Sequence, residues 1–155
     1  MAELHDIQPI PIEEFAPRRG IASAAASASS GALPPAVRNE KPPYKWISPS
    51  HPLGPHYTDA QLKKYGATAD EIWIIGHEST GWSHAWNYAF QTSSGYAFGL
   101  GQITGLFRYN NFRSQWESDD PRVQIKMMQA YIRHGSPHFH DDAGAIAWWK
   151  VHKWY

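Results

Sequence analysis

The sequence predicts a mainly α (α+β) protein: a helical domain with a small irregular β region, preceded by an extended N-terminal tail. Three observations predict it. Two Thr-x-x-Gln/Glu capping boxes and an Asp-Pro start mark helices beyond residue 57. Residues 82–106 instead alternate small, polar and aromatic residues, with Gly at 95, 99, 101 and 105, the pattern of short strands and turns. Ten of the twelve prolines fall in residues 1–57 together with an Ala/Ser run from Ile21 to Ala32, and no sustained apolar period appears there. We therefore divide the chain into an extended anchoring tail, 1–57, and a folded domain, 58–155.

Thr58 with Gln61 opens a short helix that Gly66 stops after Lys63, Lys64 and Tyr65. Thr68 with Glu71 opens the next, whose Ile72, Trp73 and Ile75 run to Glu78 before Ser79, Thr80 and Gly81 end it. Asp120 caps a third helix with Pro121 at its first position. Val123, Met127, Met128, Tyr131 and Ile132 give that helix an apolar stripe that closes at Gly135. Asp141 or Asp142 caps the last helix, in which Ala143, Ile146, Ala147, Trp149 and Val151 form an inner face. Of the 22 aromatic residues 18 lie in 58–155, enough to build a core there.

Lys plus Arg equals Asp plus Glu at 14 each, and tail and domain are each neutral, so no broad field holds nucleic acid. The absence of Cys excludes disulfides and thiol chemistry. The N-terminus carries Glu3, Asp6, Glu13 and Glu14 in place of a basic start, so no Sec signal is expected. No window approaches the roughly 20 apolar residues of a membrane span.

A carboxylate at the C-terminal end of a helix meets the negative end of the macrodipole, which favours its protonated form. Glu78 stands at such a place. Taken alone, a glutamate at a helix end is a solvated residue; a second motif changes that. Gly76-His77-Glu78-Ser79-Thr80-Gly81-Trp82, followed by Ala97-Phe98-Gly99-Leu100-Gly101-Gln102-Ile103, resembles the lytic transglycosylase and goose-type lysozyme group of the lysozyme-like superfamily, over roughly residues 60–155. The resemblance implies a lysozyme-like domain in which Glu78 is the catalytic acid and base and Gln102 lines the glycan cleft. Ser79, Tyr96, Trp82 and Tyr155 are the further substrate-binding candidates. The chain departs from the family pattern at Tyr96, where Gly is usual, at Gly101, where Met is commoner, and in lacking the third, Tyr-Asn-Gly motif. Its ending, Trp148 to Tyr155, is similar to the Trp-Tyr terminus of phage-type members, with Lys153 where Gly is more usual.

Protonating a glycosidic oxygen needs a carboxyl kept neutral among apolar groups, a shell that Trp82, Trp73 and Ile75 would supply. Hydrolysis also needs a second carboxylate, and Ser79 through Trp116 contains no Asp or Glu. The resemblance then implies non-hydrolytic cleavage of the bond between N-acetylmuramic acid and N-acetylglucosamine (GlcNAc) in peptidoglycan, giving 1,6-anhydro ends and needing no cofactor. The alternatives are a hydrolytic muramidase and a structural virion or tail protein with a weak or inactive module. His138-x-His140-Asp141-Asp142 offers ligand types at close spacing, but helix capping accounts for it better, and no metal is assigned. Without an export signal the domain would reach the wall by lysis, by an unusual route or as part of a virus particle, and the expectation is a component of a phage particle. Its tail, residues 1–57, would hold other virion subunits, and its substrate would be the glycan strands.

Overall fold

A computed structural model describes residues 32–40, 54–86 and 93–153. Among the described residues the protein is mainly helical, with one small two-stranded sheet. Among the described residues no helix is long and apolar enough to cross a membrane.

Both capping boxes form. Helix α1 is the short turn Pro35–Arg38. Helix α2, Asp59–Lys64, is opened by Thr58, whose side chain accepts from the Gln61 amide while Gln61 accepts the Thr58 N–H at 2.9 Å. Helix α3, Ala69–Glu78, starts the same way at Thr68. Its partner Glu71 is fully buried and does more than cap. Its carboxylate accepts the Thr68 N–H at 2.8 Å and the Gln129 amide at 3.0 Å, and lies 3.7 Å from the Arg133 guanidinium, which ties α3 to the helix that carries Gln129. The core gathers along α3, where Ile74 and Ile75 meet Ile125, Met128, Ile132 and Trp149.

Strands β1, Ala97–Phe98, and β2, Ile103–Thr104, pair antiparallel with Ala97 opposite Thr104 and Phe98 opposite Ile103. The tight turn between them needs Gly99 at φ 82°, where a Cβ would come within 2.8 Å of the Gln124 amide. That buried amide accepts the Leu100 N–H at 2.9 Å and donates to the Ser83 carbonyl at 2.8 Å, so it fastens the hairpin to the helix beneath. Helix α4, Gly105–Asn111, follows at once; its N-cap residue, Thr104, makes no side-chain cap hydrogen bond, and Phe107 stands where a capping box would need Glu or Gln. Helix α5, Pro121–Ala130, has the expected Asp120 cap and continues into a π-helical turn, Tyr131–Gly135. Asp141, not Asp142, caps helix α6, Asp142–His152, by accepting the Gly144 N–H at 2.7 Å.

The described residues of the segment expected as an extended tail, 32–40 and 54–57, pack on the domain. Residues 35–38 are helical rather than extended, and Val37 is fully buried. Val37 sits against Gly95 and Gly105, where added Cβ atoms would come within 2.8 and 3.1 Å of its side chain. Glu40 pairs with Arg108 at 3.0 and 3.3 Å, both side chains buried. Pro55, His56 and Tyr57 also join the domain: the Tyr57 N–H donates to the Gly81 carbonyl at 2.9 Å and the Ser83 N–H to Pro55 at 3.1 Å. One valine and one glutamate in a proline-rich stretch carry no periodicity, and their partners lie far along the chain, so composition alone reads them as tail.

Candidate active site

Glu78 is the last residue of α3, and it is half-buried. The indole of Trp149 donates to its Oε1 at 2.7 Å, across the face where α3 packs on α6. Tyr131, at the start of the π-helical turn, is near enough to feel its charge. Burial, and after it the nearby negative charge of Glu78, push the Tyr131 phenol up to about 12, so it keeps its proton at neutral pH. A wide turn of this kind commonly marks a functional place in a helix.

The aromatic shell around Glu78 therefore differs in part from the expected one. Trp149, placed by its helical spacing in the core, is core and also the group that holds the carboxyl. Trp73 takes part at one remove, meeting Trp149 edge-on at 5.4 Å and stacking on His77 at 3.8 Å. Ile75 is fully buried beneath the helix. Tyr131, expected only in an apolar stripe, was the other residue whose role its spacing concealed.

The remaining expected residues take other positions. Ser79 is 0 % exposed and cannot line a cleft; its hydroxyl donates to the Ile75 carbonyl at 3.3 Å and accepts the Gly81 N–H at 3.3 Å, fastening the turn that ends α3. Trp82 is 8 % exposed and packs edge-on against His56 at 4.9 Å, so its ring is a packing element rather than an open platform. Gln102 is half-buried at φ 51°, and its amide donates to the Ala85 and Gly99 carbonyls at 3.0 Å each, closing the hairpin turn. Tyr96 is half-buried beside Trp86, and its carbonyl accepts from Gly105 and Arg108. Neither Gln102 nor Tyr96 hydrogen-bonds to Glu78. Tyr155 lies outside the described residues.

Six other carboxylates have structural partners. Asp119 accepts from His84 at 3.1 Å, Asp120 and Asp141 cap helices, Asp142 accepts the Thr68 hydroxyl at 3.0 Å, and Glu71 and Glu40 are engaged as described. Among the described residues no group of three His, Cys, Asp or Glu could hold a metal ion. His138 stacks on Trp148 at 4.0 Å.

No family model, curated protein or solved structure matches this chain.

Proposed function

We propose that this protein cleaves peptidoglycan between N-acetylmuramic acid and GlcNAc, with Glu78 as the single general acid and base of a lysozyme-like domain borne on a phage particle. The observation that carries the reading is the Trp149 indole on Glu78 Oε1 at 2.7 Å. A neutral donor orients a carboxyl without supplying a countercharge, which suits a group that must exist in both protonation states during one turnover.

In this reading Glu78, protonated, gives its proton to the glycosidic oxygen as the bond to the anomeric carbon breaks. The resulting carboxylate then takes the proton of the muramic acid 6-hydroxyl, whose oxygen closes on the anomeric carbon to give the 1,6-anhydro ring. The indole N–H on Oε1 orients the carboxyl for both steps. The structural duties of Asp119, Asp120, Asp141 and Asp142 favour this one-carboxylate route over a water-using muramidase.

A second reading has its own support. Ser79 and Gln102 are engaged in holding the fold, which favours a structural virion module with little catalysis. Turbidity loss of purified sacculi, compared between the native chain and Glu78→Gln, separates the two. Clearing by the native chain alone supports catalysis, and equal behaviour overturns it. Mass spectrometry of the products then separates anhydro ends from hydrolysed ones, which are heavier by one water.

A further inference from the structure

Independently of any role for Glu78, we propose that residues 33–40 are an exchangeable docking segment, and that the seat they fill at the start of α4 accepts the same segment from a second copy of this chain. The segment closes its backbone bonds on itself. The Arg38 and Asn39 amides donate to the Pro34 and Pro35 carbonyls at 2.9 and 3.0 Å, the Glu40 amide to the Val37 carbonyl at 3.3 Å, and the Arg38 guanidinium to the Leu33 carbonyl at 3.0 Å. Two side chains seat it on the domain. Val37, 0 % exposed, lies where Gly95 and Gly105 leave room, and Glu40, 4 % exposed, meets Arg108. Arg38 and Asn39 between them are exposed, as are Pro35 and Ala36 before them.

The seat lies far along the chain, 68 residues on for the Glu40–Arg108 pair. Arg108 is held in place by the domain itself, donating to the Ile103 and Trp116 carbonyls at 2.9 and 2.6 Å, with the Phe98 and Trp116 rings 5.2 and 5.4 Å from its guanidinium carbon. A guanidinium so enclosed calls for a carboxylate, since a buried charge without its partner is costly, and that demand does not distinguish one copy's Glu40 from another's. Thirteen residues, 41–53, join Glu40 to Gly54. Their contour reaches at most about 50 Å, against a radius of gyration near 13 Å for a domain of about 100 residues, so a neighbour's seat lies within reach. Pro34 and Pro35 fix two backbone φ angles before docking, which lowers the ordering cost wherever the segment lands. Exchange of an element whose contacts are the same in both arrangements links copies without a new interface.

The test uses the full chain, which has no cysteine, so dyes go only where a cysteine is introduced. One pool carries a donor at Ala36→Cys and the other an acceptor at Asn110→Cys, exposed positions on α1 and α4. The pools are mixed in urea near the unfolding midpoint, so that segments can exchange, and returned to buffer over a range of concentrations. Energy transfer between the pools should rise with concentration. Excess free peptide 32–40 should lower it at least about twofold, while a scrambled peptide leaves it unchanged. Val37→Asp in the donor pool should abolish it. Transfer that survives Val37→Asp, or that the scrambled peptide lowers equally, marks another surface and overturns the proposal, as does the absence of transfer at every concentration. The peptide comparison needs no altered seat, so it decides the matter even where Val37→Asp fails to fold. A chain carrying both dyes gives the signal of docking within one copy. At high dilution that signal should be strong, and a weak one means that the seat is empty in solution, which also overturns the proposal.

Discussion

Glu40 and Glu78 are withdrawn from solvent by opposite means. Glu40 is enclosed against a cation: Arg108 reaches both its oxygens and also donates to the carbonyls of Ile103, Trp116 and Tyr96, at 2.9, 2.6 and 3.3 Å. Glu78 is half-enclosed, and the neutral indole of Trp149 donates to it at 2.7 Å. A carboxylate matched by a buried guanidinium is a positional device, fixing where the segment around Val37 docks. One steered by an N–H without charge stays available for proton transfer. The same side chain is thus held in two places by donors of different charge, and the proposed role of Glu78 depends on that difference.

The sharpest way to break the comparison is to substitute both sites and ask which property each one moves. Glu78→Gln should lower sacculus cleavage by about 10²- to 10⁴-fold with little change in the urea midpoint. Arg108→Met should do the reverse, costing about 3–5 kcal/mol of unfolding free energy while cleavage per folded molecule is kept. Adding Glu40→Leu should recover only part of that loss, because the guanidinium bonds to the Ile103 and Trp116 carbonyls are not restored. If Arg108→Met were within about 1 kcal/mol of the native chain, the architectural role of the pair would be wrong.

The pH dependence sharpens the contrast. Burial, only partly offset by Arg108, pushes the Glu40 carboxyl from its ordinary 4.5 up to about 7. The folded state therefore holds this proton more tightly than the unfolded chain does. The resulting stability is fully present below about pH 4.5 and is lost as the pH rises through about 7, a span worth on the order of 1–3 kcal/mol. The measurement is the difference in unfolding free energy between the native chain and Glu40→Gln. That difference should change between pH 4.5 and 8 and level off outside it.

Smaller effects follow. Trp149→Phe keeps the ring but removes the N–H on Glu78, and should lower the cleavage rate by about tenfold, near 1.4 kcal/mol, with KM nearly unchanged. Thr80→Gly relieves a β-branched residue at φ 52° and should raise the unfolding free energy by about 0.5–1 kcal/mol. Thermal denaturation of the purified variant checks the sign.

The parts of this molecule that were legible in its sequence are those fixed by neighbours within one helical turn. Thr58 with Gln61, Thr68 with Glu71, and Asp120 before Pro121 each state a helix start locally, and each is observed. Helix α4 opens at Gly105 with no side-chain cap, and α1 rests on Val37 and Glu40, whose partners lie tens of residues away. The placement of Glu78 at the end of α3 was legible for the same local reason, whereas its contact with Trp149 was not. An indole on the inner face of a helix has one spacing whether its N–H meets a carboxyl or nothing at all. Ser79 and Gln102 show the converse, since a motif names residue types but does not say whether a polar atom points at a ligand or at the backbone of its own turn.

The π-helical turn at Tyr131–Gly135 makes chain length at this point matter more than side-chain identity. Each residue of an ordinary helix advances the chain by about 100°, so deleting one residue here would let the backbone settle into regular α geometry while swinging one flank against the other by that angle. Tyr131 would be carried away from Glu78, or the segment leading to Asp141 would be misdirected. Exchange at His134, which faces solvent, should pass unnoticed, while the omission of a single codon beside it should not.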